Sequence, residues 1–454
     1  MSQDSTSTPT PASVLIDTRS AAAEVDKPRP AASAEGASPL VRLYPALAHP
    51  SFVLLWLGMM PATLAVMMNQ VVAPYAAFTL SGSAAVLGLV SLAQGLPMLL
   101  LSLVGGVVAD RLPRRLVLIG SQTTLGLGAA ALAVLGLVGL LEVWHVVAAS
   151  FLQGAAFAFN MPARQAFIAE LVPRARLANA AALINAGQNF CRVAGPALGG
   201  VLLAIPRVGI GGAFLAMAAM YVAALATLFR LPSGSRHPSD ANATGRTGGA
   251  EHLLEGLRHV RSSPSIMALI GINLVVVVLG MPYQTLMPVV AERVFGVGAQ
   301  GLGLLMAGSG AGALAGSLVV ASVSRLPRPG LLQLGLAIAL GIALIGFSLS
   351  RSFPVAIGLL VVVGFLFSSF SALNNTLLMA NTEPRLTGRV MSMYLLTWGA
   401  MPAGALPLTW IADRAGAPTA LALAGAIIAL VVAGVALLHP PAHRIGWAPL
   451  AGRP

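Results

Sequence analysis

The sequence predicts an all-α membrane protein: twelve transmembrane helices in two pseudo-symmetric six-helix bundles. Three observations lead there. Apolar residues make up 57% of the 454-residue chain and charged residues only 9%, far below the roughly 25% charge of soluble domains. Twelve runs are long enough to span the ~30 Å hydrocarbon core, which takes about 20 apolar residues each. A short motif, Arg111-Leu112-Pro113-Arg114, returns as Arg325-Leu326-Pro327-Arg328, and the same 214-residue offset carries Asn160 to Asn374. Such internal repeats are a property of transporters working by alternating access.

Taken in order, residues 1–45 form a tail rich in Ser, Thr, Pro and Ala. That composition predicts disorder, and no signal peptide is expected because no apolar core stands before a cleavage site. The first bundle is expected over 46–230, with spans at 52–79, 84–108, 116–138, 144–163, 179–204 and 209–229. A cytoplasmic linker, 231–265, begins polar and glycine-rich and becomes helical over Glu251 to Arg261. The second bundle is expected over 266–438, with spans at 266–291, 300–323, 331–350, 353–379, 389–411 and 417–438, before a C-tail at 439–454. The 49 glycines suit closely packed membrane helices.

Charge placement gives the spans a direction. With both termini in the cytoplasm, 21 of the 26 basic residues fall on cytoplasmic segments. Four (Arg207, Arg293, Arg351, Arg414) fall outside, and one, Arg192, lies within a span. Positive residues favour the cytoplasmic side, so the +12 net charge is topological and predicts no nucleic-acid partner. The single cysteine, Cys191, excludes intrachain disulfides. The seven histidines lie in or beside loops and tails. With no clustered acidic, His or Cys residues at a membrane face, an enzyme is not expected, and neither a metal nor a cofactor is predicted.

Loop 2–3 carries a specific motif. Gly105-Gly106-Val107-Val108-Ala109-Asp110-Arg111-Leu112-Pro113-Arg114-Arg115 resembles the signature loop of the major facilitator superfamily: glycine, three residues, Asp-Arg, one residue, Gly-Arg-Arg or Lys. Pro113 replaces the second glycine. Gly105 and Gly106 allow close helix approach, and Asp110 can accept charge-assisted hydrogen bonds from arginines or a helix N-terminus. The resemblance implies that Gly105, Gly106, Asp110, Arg111, Arg114 and Arg115 latch one access state; otherwise Arg114 and Arg115 are topology anchors. Asn160-Met161-Pro162-Ala163-Arg164-Gln165, Glu170-Leu171-Val172-Pro173-Arg174, Gly388-Arg389-Val390-Met391-Ser392 and Gly195-Pro196-Ala197-Leu198-Gly199-Gly200 are similar to the branch of enterobactin exporters and multidrug efflux proteins. That branch implies a secondary active exporter of amphipathic small molecules in the bacterial cytoplasmic membrane, driven by the proton gradient; separately, a monomer is the expected form. It also implies that Gly195, Pro196, Gly199 and Gly200 form a helix-packing motif. Two positions depart from proton antiporters of the family. Ser150 stands where an Arg belongs, and Cys191 replaces a glycine, which weakens the antiport expectation relative to efflux itself. A dedicated siderophore exporter and a transport-dead sensor or scaffold are the alternatives.

Polar residues inside the spans mark the candidate cavity. Asn185, Gln188, Asn189 and Arg192 share one face of span 5. Arg192 stands roughly 20 Å from the cytoplasmic end at 1.5 Å per residue, where an arginine costs at least ~2.5–3.5 kcal/mol. It either serves the cavity as an anion-binding or coupling group or bonds to span 4 or 8. Gln153, Asn69, Gln70, Gln284, Asn374 and Asn375 are further candidates for cavity or interhelical contact. The resemblance implies that spans 1, 4, 7 and 10 line the cavity and that 3, 6, 9 and 12 face lipid. No carboxylate sits mid-membrane, so proton coupling would fall to Asp110, Glu142 or Glu292.

Overall fold

The computed structural model describes residues 45–173, 176–231, 258, 260–322, 328–383 and 386–438, except for the side chains of 103, 104, 106, 107, 109–111, 169, 178, 321 and 322. The predicted tails, most of the central linker, the 325–327 part of the repeated motif, and the side chains of Gly106, Asp110 and Arg111 therefore lie outside the described residues.

The chain is helical throughout its described length. The first six helices are α1 (Pro50–Ser81), α2 (Ala84–Arg111), α3 (Arg114–Leu137), α4 (Val143–Leu171), α5 (Leu177–Ala204) and α6 (Gly209–Arg230). They are followed by α7 (Pro264–Val294), α8 (Gly298–Ser322), α9 (Pro329–Leu349), α10 (Phe353–Ala380), α11 (Thr387–Ala415) and α12 (Ala417–Leu438). Eleven are long and apolar enough to cross a membrane among the described residues. The exception is α5, which is 28 residues long; its polar stripe lowers its hydropathy.

Two helices are irregular. α7 passes through π-helical turns at Val276–Gly280 and Val290–Val294, the first just before Pro282. α11 is interrupted at Ala400, before Pro402, because proline removes a backbone donor and crowds the preceding turn. α4 continues through Pro162 to Leu171, eight residues past the predicted end of span 4. That correction moves Arg164 from a loop into a helix. Gly82 ends α1 with φ +67°, a left-handed conformation that glycine adopts without a steric penalty.

Pairings in the first six helices recur in the last six. α2 packs on α4 as α8 packs on α10, and α3 on α6 as α9 on α12. Two further pairs, α2–α11 and α5–α8, join the two sets. Glycine permits the closest approaches. A β-carbon on Gly364 of α10 would overlap the Ser309 carbonyl of α8, and one on Gly312 the Val361 carbonyl. Such contacts matter because lipid gives no hydrophobic gain to helix association, leaving van der Waals packing in charge. Gly364→Leu is expected to cost about 3 kcal/mol from overpacking, the upper end of the usual range, because the clash is with backbone. It should lower the melting temperature of the purified protein or prevent its accumulation; a wild-type melting profile would count against this packing. The repeat also performs equivalent jobs in each set. Asn160 of α4 donates to Ser121 of α3 at 2.7 Å, and Asn374 of α10 accepts from Gln333 of α9.

Candidate functional site

A cavity of about 440 Å³ lies among α1, α2, α3, α4, α5, α6, α7 and α11. It was expected against spans 1, 4, 7 and 10. Instead α3 and α6 contribute Gln122 and Thr227, while no described residue of α10 lines it. α10 packs instead against α8 and α9.

The walls are largely apolar, with methionines (Met59, Met67, Met98, Met161, Met281, Met401) and Trp398. Methionine is adaptable and polarizable, which suits ligands of varied shape. Polar groups converge among them. Asn69 of α1 donates to Gln153 of α4 at 2.8 Å, so each amide fixes the other's orientation. Ser91 of α2 meets Thr285 of α7 at 3.4 Å. Gln284 donates to the Tyr283 hydroxyl at 3.3 Å, and Gln70 is exposed on the same lining. Gln122 was not anticipated from sequence. Its Oε1 is buried with no hydrogen-bond partner, a costly condition for an acceptor.

Arg192 is exposed on the lining, and Gln188 one turn away shares it. Arg164 is the second cation on the wall, its hydrogen bond among the described residues a contact to Met161 Sδ at 3.3 Å. Among the described residues neither forms an ion pair; Arg114–Glu170 and Arg293–Asp413 do so elsewhere. The Arg192 side chain makes no hydrogen bond to α4 or α8 among the described residues.

Other candidates lie elsewhere. Asn185 is exposed and Asn189 half-buried, and neither lines the cavity. Asn374 is fully buried in its contact with Gln333, and Asn375 is half-buried away from the lining. Gly195 and Gly199 press α5 against Met67 and Met68 of α1, while Gly200 meets Gly303 of α8 and the Pro196 carbonyl faces that same Gly303. Gly105 lies against the Ala158 carbonyl of α4. Arg114 bonds the Ala166 carbonyl at 3.0 Å and pairs with Glu170. Arg115 caps the end of α6 through the carbonyls of Leu228 (2.8 Å) and Phe229 (2.7 Å). Both arginines thus anchor α3 within the first six helices. Glu142 caps α4 and accepts from Trp144 at 2.7 Å, and Glu292 is exposed.

One cluster escaped the sequence reading. Asp413, near the end of α11, accepts from the Ser83 hydroxyl at 2.9 Å and from the Ala84 backbone N–H at 3.0 Å. Arg293 of α7 stands 3.8 Å from Asp413, bonds the Gly82 carbonyl, and lies 5.1 Å over the Phe78 ring. The turn between α1 and α2 is therefore clasped by α7 and α11. A signal was available: Ala-Asp-Arg occurs at 109–111 and again at 412–414. The backbone contacts between Gly200 and Gly303 lie at the same end, since α5 runs toward it and α8 away from it. The half of α7 at Pro264–Val275 has no comparable packing against the first six helices among the described residues. The cavity is thus sealed at the end of the α1–α2 turn.

Comparison with known proteins agrees with this architecture. The family model described as transmembrane secretion effector matches residues 42–445. The chain is 28% identical over 373 residues to the multidrug efflux pump Tap of Mycolicibacterium fortuitum, covering 80% of this chain and 90% of that protein. It is 28% identical over 322 residues to the enterobactin exporter EntS of Citrobacter koseri, covering 70% and 71%. Among solved structures, a bacterial homologue of the human lysosomal transporter Spinster, inward-facing and unoccupied, superposes with a TM-score of 0.66 at 18% identity, covering 91% of this chain and all of that one.

Proposed function

The chain belongs to the transmembrane secretion effector family, an efflux branch of the major facilitator superfamily, and on that premise we propose that it exports amphipathic drugs or natural products by alternating access through the cavity described above. It is a membrane transporter and not an enzyme. The observation that carries the proposal is a cavity lined from both sets of helices and sealed at one end.

The proposed topology is twelve crossings, α5 included, in two six-helix bundles with both termini cytoplasmic. The recurrent pairings and the distribution of arginines support it. In this orientation the α1–α2 turn is external, and the cavity belongs to the inward-open state. The Asp110 loop is proposed to latch the opposite state, the proton gradient to drive the cycle, and a single chain to suffice. A dedicated siderophore exporter is the second reading, favoured by the two cations on the cavity wall.

Uptake into inverted vesicles over a compound panel tests export. Energised vesicles containing the protein are expected to accumulate at least one amphipathic compound, and a proton uncoupler to abolish that accumulation. No accumulation of any compound would sink the exporter reading; accumulation that survives the uncoupler would sink only the proton coupling.

A further inference from the structure

The cavity wall is polarised in a way that efflux alone does not require. Its two charged side chains are both guanidiniums, Arg164 and Arg192, and no described carboxylate lines it. Among the described residues neither has an ion-pair partner, and Arg192 makes no hydrogen bond there. Every other polar side chain on the lining is uncharged, such as Asn69, Gln153 and Gln188.

The two cations stand at different depths. Arg164 is seven residues before the end of α4, about 10 Å in at 1.5 Å per residue. Arg192 is fifteen residues past the start of α5, about 22 Å from the same face. An unpaired charge this deep is retained against a substantial insertion cost, and a low-dielectric wall strengthens its field toward an entering ion. Guanidinium donors match the oxygens of carboxylate, sulfonate, phosphate or catecholate groups. The methionines and Trp398 accept the apolar body of the same molecule.

We propose that the cavity selects organic anions: an amphipathic molecule whose acidic group is met first by Arg164 near the mouth and then by Arg192 at mid-depth. This deepens the export reading and rests on it for direction of movement, but the anion site itself is independent of transport. A cationic amphiphile meets two like charges and no counter-charge, which disfavours it.

The test is equilibrium binding to the purified full-length chain in phosphatidylcholine nanodiscs, followed by fluorescence anisotropy against empty discs. The probes share a xanthene scaffold: 5-carboxyfluorescein as the anion and rhodamine 6G as the cation. Saturable binding of the anion is expected, without competition from the cation. Arg192→Gln and Arg164→Gln should each weaken it on the order of tenfold or more, and Arg192→Lys should retain more affinity than Arg192→Gln. Unchanged melting profiles exclude a folding effect, and Arg164→Gln, closer to the mouth, serves if the deeper variant fails to fold. Absent anion binding, equal or better cation binding, or anion binding indifferent to both arginine variants would each overturn the proposal. Replacing half the lipid with phosphatidylglycerol separates two sources of the anion. Loss of dye binding identifies an anionic lipid headgroup as occupant; retention identifies a free organic anion. Transport is measured separately in proteoliposomes. Arginine-dependent binding without transport leaves the anion site standing and removes the export reading; transport of rhodamine 6G without anion binding does the reverse.

Discussion

Gly200→Leu is expected to abolish export while leaving the protein in the membrane. A β-carbon at Gly200 would stand 2.6 Å from Gly303 Cα, 2.8 Å from the Ala299 carbonyl oxygen and 2.9 Å from the Gly303 nitrogen. The relation is reciprocal, since a β-carbon on Gly303 would lie 2.8 Å from Gly200 Cα. These neighbours are backbone atoms and cannot rotate away. A leucine therefore forces α5 and α8 apart at the sealed end, at a cost near the top of the roughly 1–3 kcal/mol range of overpacked cores because the clash is with backbone. The penalty falls on the state in which the two helices touch. A state that separates them there is spared, so the protein folds but its cycle stalls. Export per molecule should drop by on the order of 100-fold, because about 3 kcal/mol corresponds to a factor of roughly 150 in population. Wild-type turnover at normal expression would show that this contact is not part of the cycle.

Asp413→Ala acts in the same direction by a different route. It removes the acceptor of Ser83 and of the α2 N-terminus and leaves Arg293 with its carbonyl and ring contacts. A carboxylate at a helix N-terminus is stabilised by the unpaired N–H groups there. Asp413 is about one-third exposed, so its ion pair is screened and worth ~1 kcal/mol or less. With the two hydrogen bonds the loss comes to about 1–2 kcal/mol. That shifts the balance toward the outward-open state by a factor of roughly 5–30, and high salt should reproduce part of the shift in the parent protein. Asp413→Asn should retain the hydroxyl contact and lose less. An unchanged balance in Asp413→Ala would remove the clasp from the account.

The helices and their order were legible because twenty apolar residues in sequence are visible without any tertiary knowledge. The same rule misplaced Arg164: Pro162 and a charged residue read as a loop, whereas neighbouring helices carry α4 on to Leu171. The polar stripe of α5 was read as one face, but a face contains more than a cavity. Gln188 and Arg192 open onto it and Asn185 and Asn189 do not. Asn374 looked like a cavity group because an amide in a membrane helix invites that reading. Its partner is Gln333, buried on the adjacent α9. The clasp at Asp413 was out of reach for another reason. Its partner Ser83 lies 330 residues away, and no local periodicity encodes such a pairing; only the repeated Ala-Asp-Arg hinted at it.

The central claim is that this cavity is an alternating-access route, open to the cytoplasm when the α1–α2 turn is clasped. The most direct measurement exploits the fact that the chain has a single cysteine to replace. With Cys191→Ser as background and Gln188→Cys as reporter, a membrane-impermeant thiol reagent is applied to inverted vesicles and to intact cells. Rapid labelling in inverted vesicles and slow labelling in intact cells is predicted, with Asp413→Ala raising the labelling in cells. Rapid labelling in intact cells with Asp413 in place, or protection from both sides, would contradict the account.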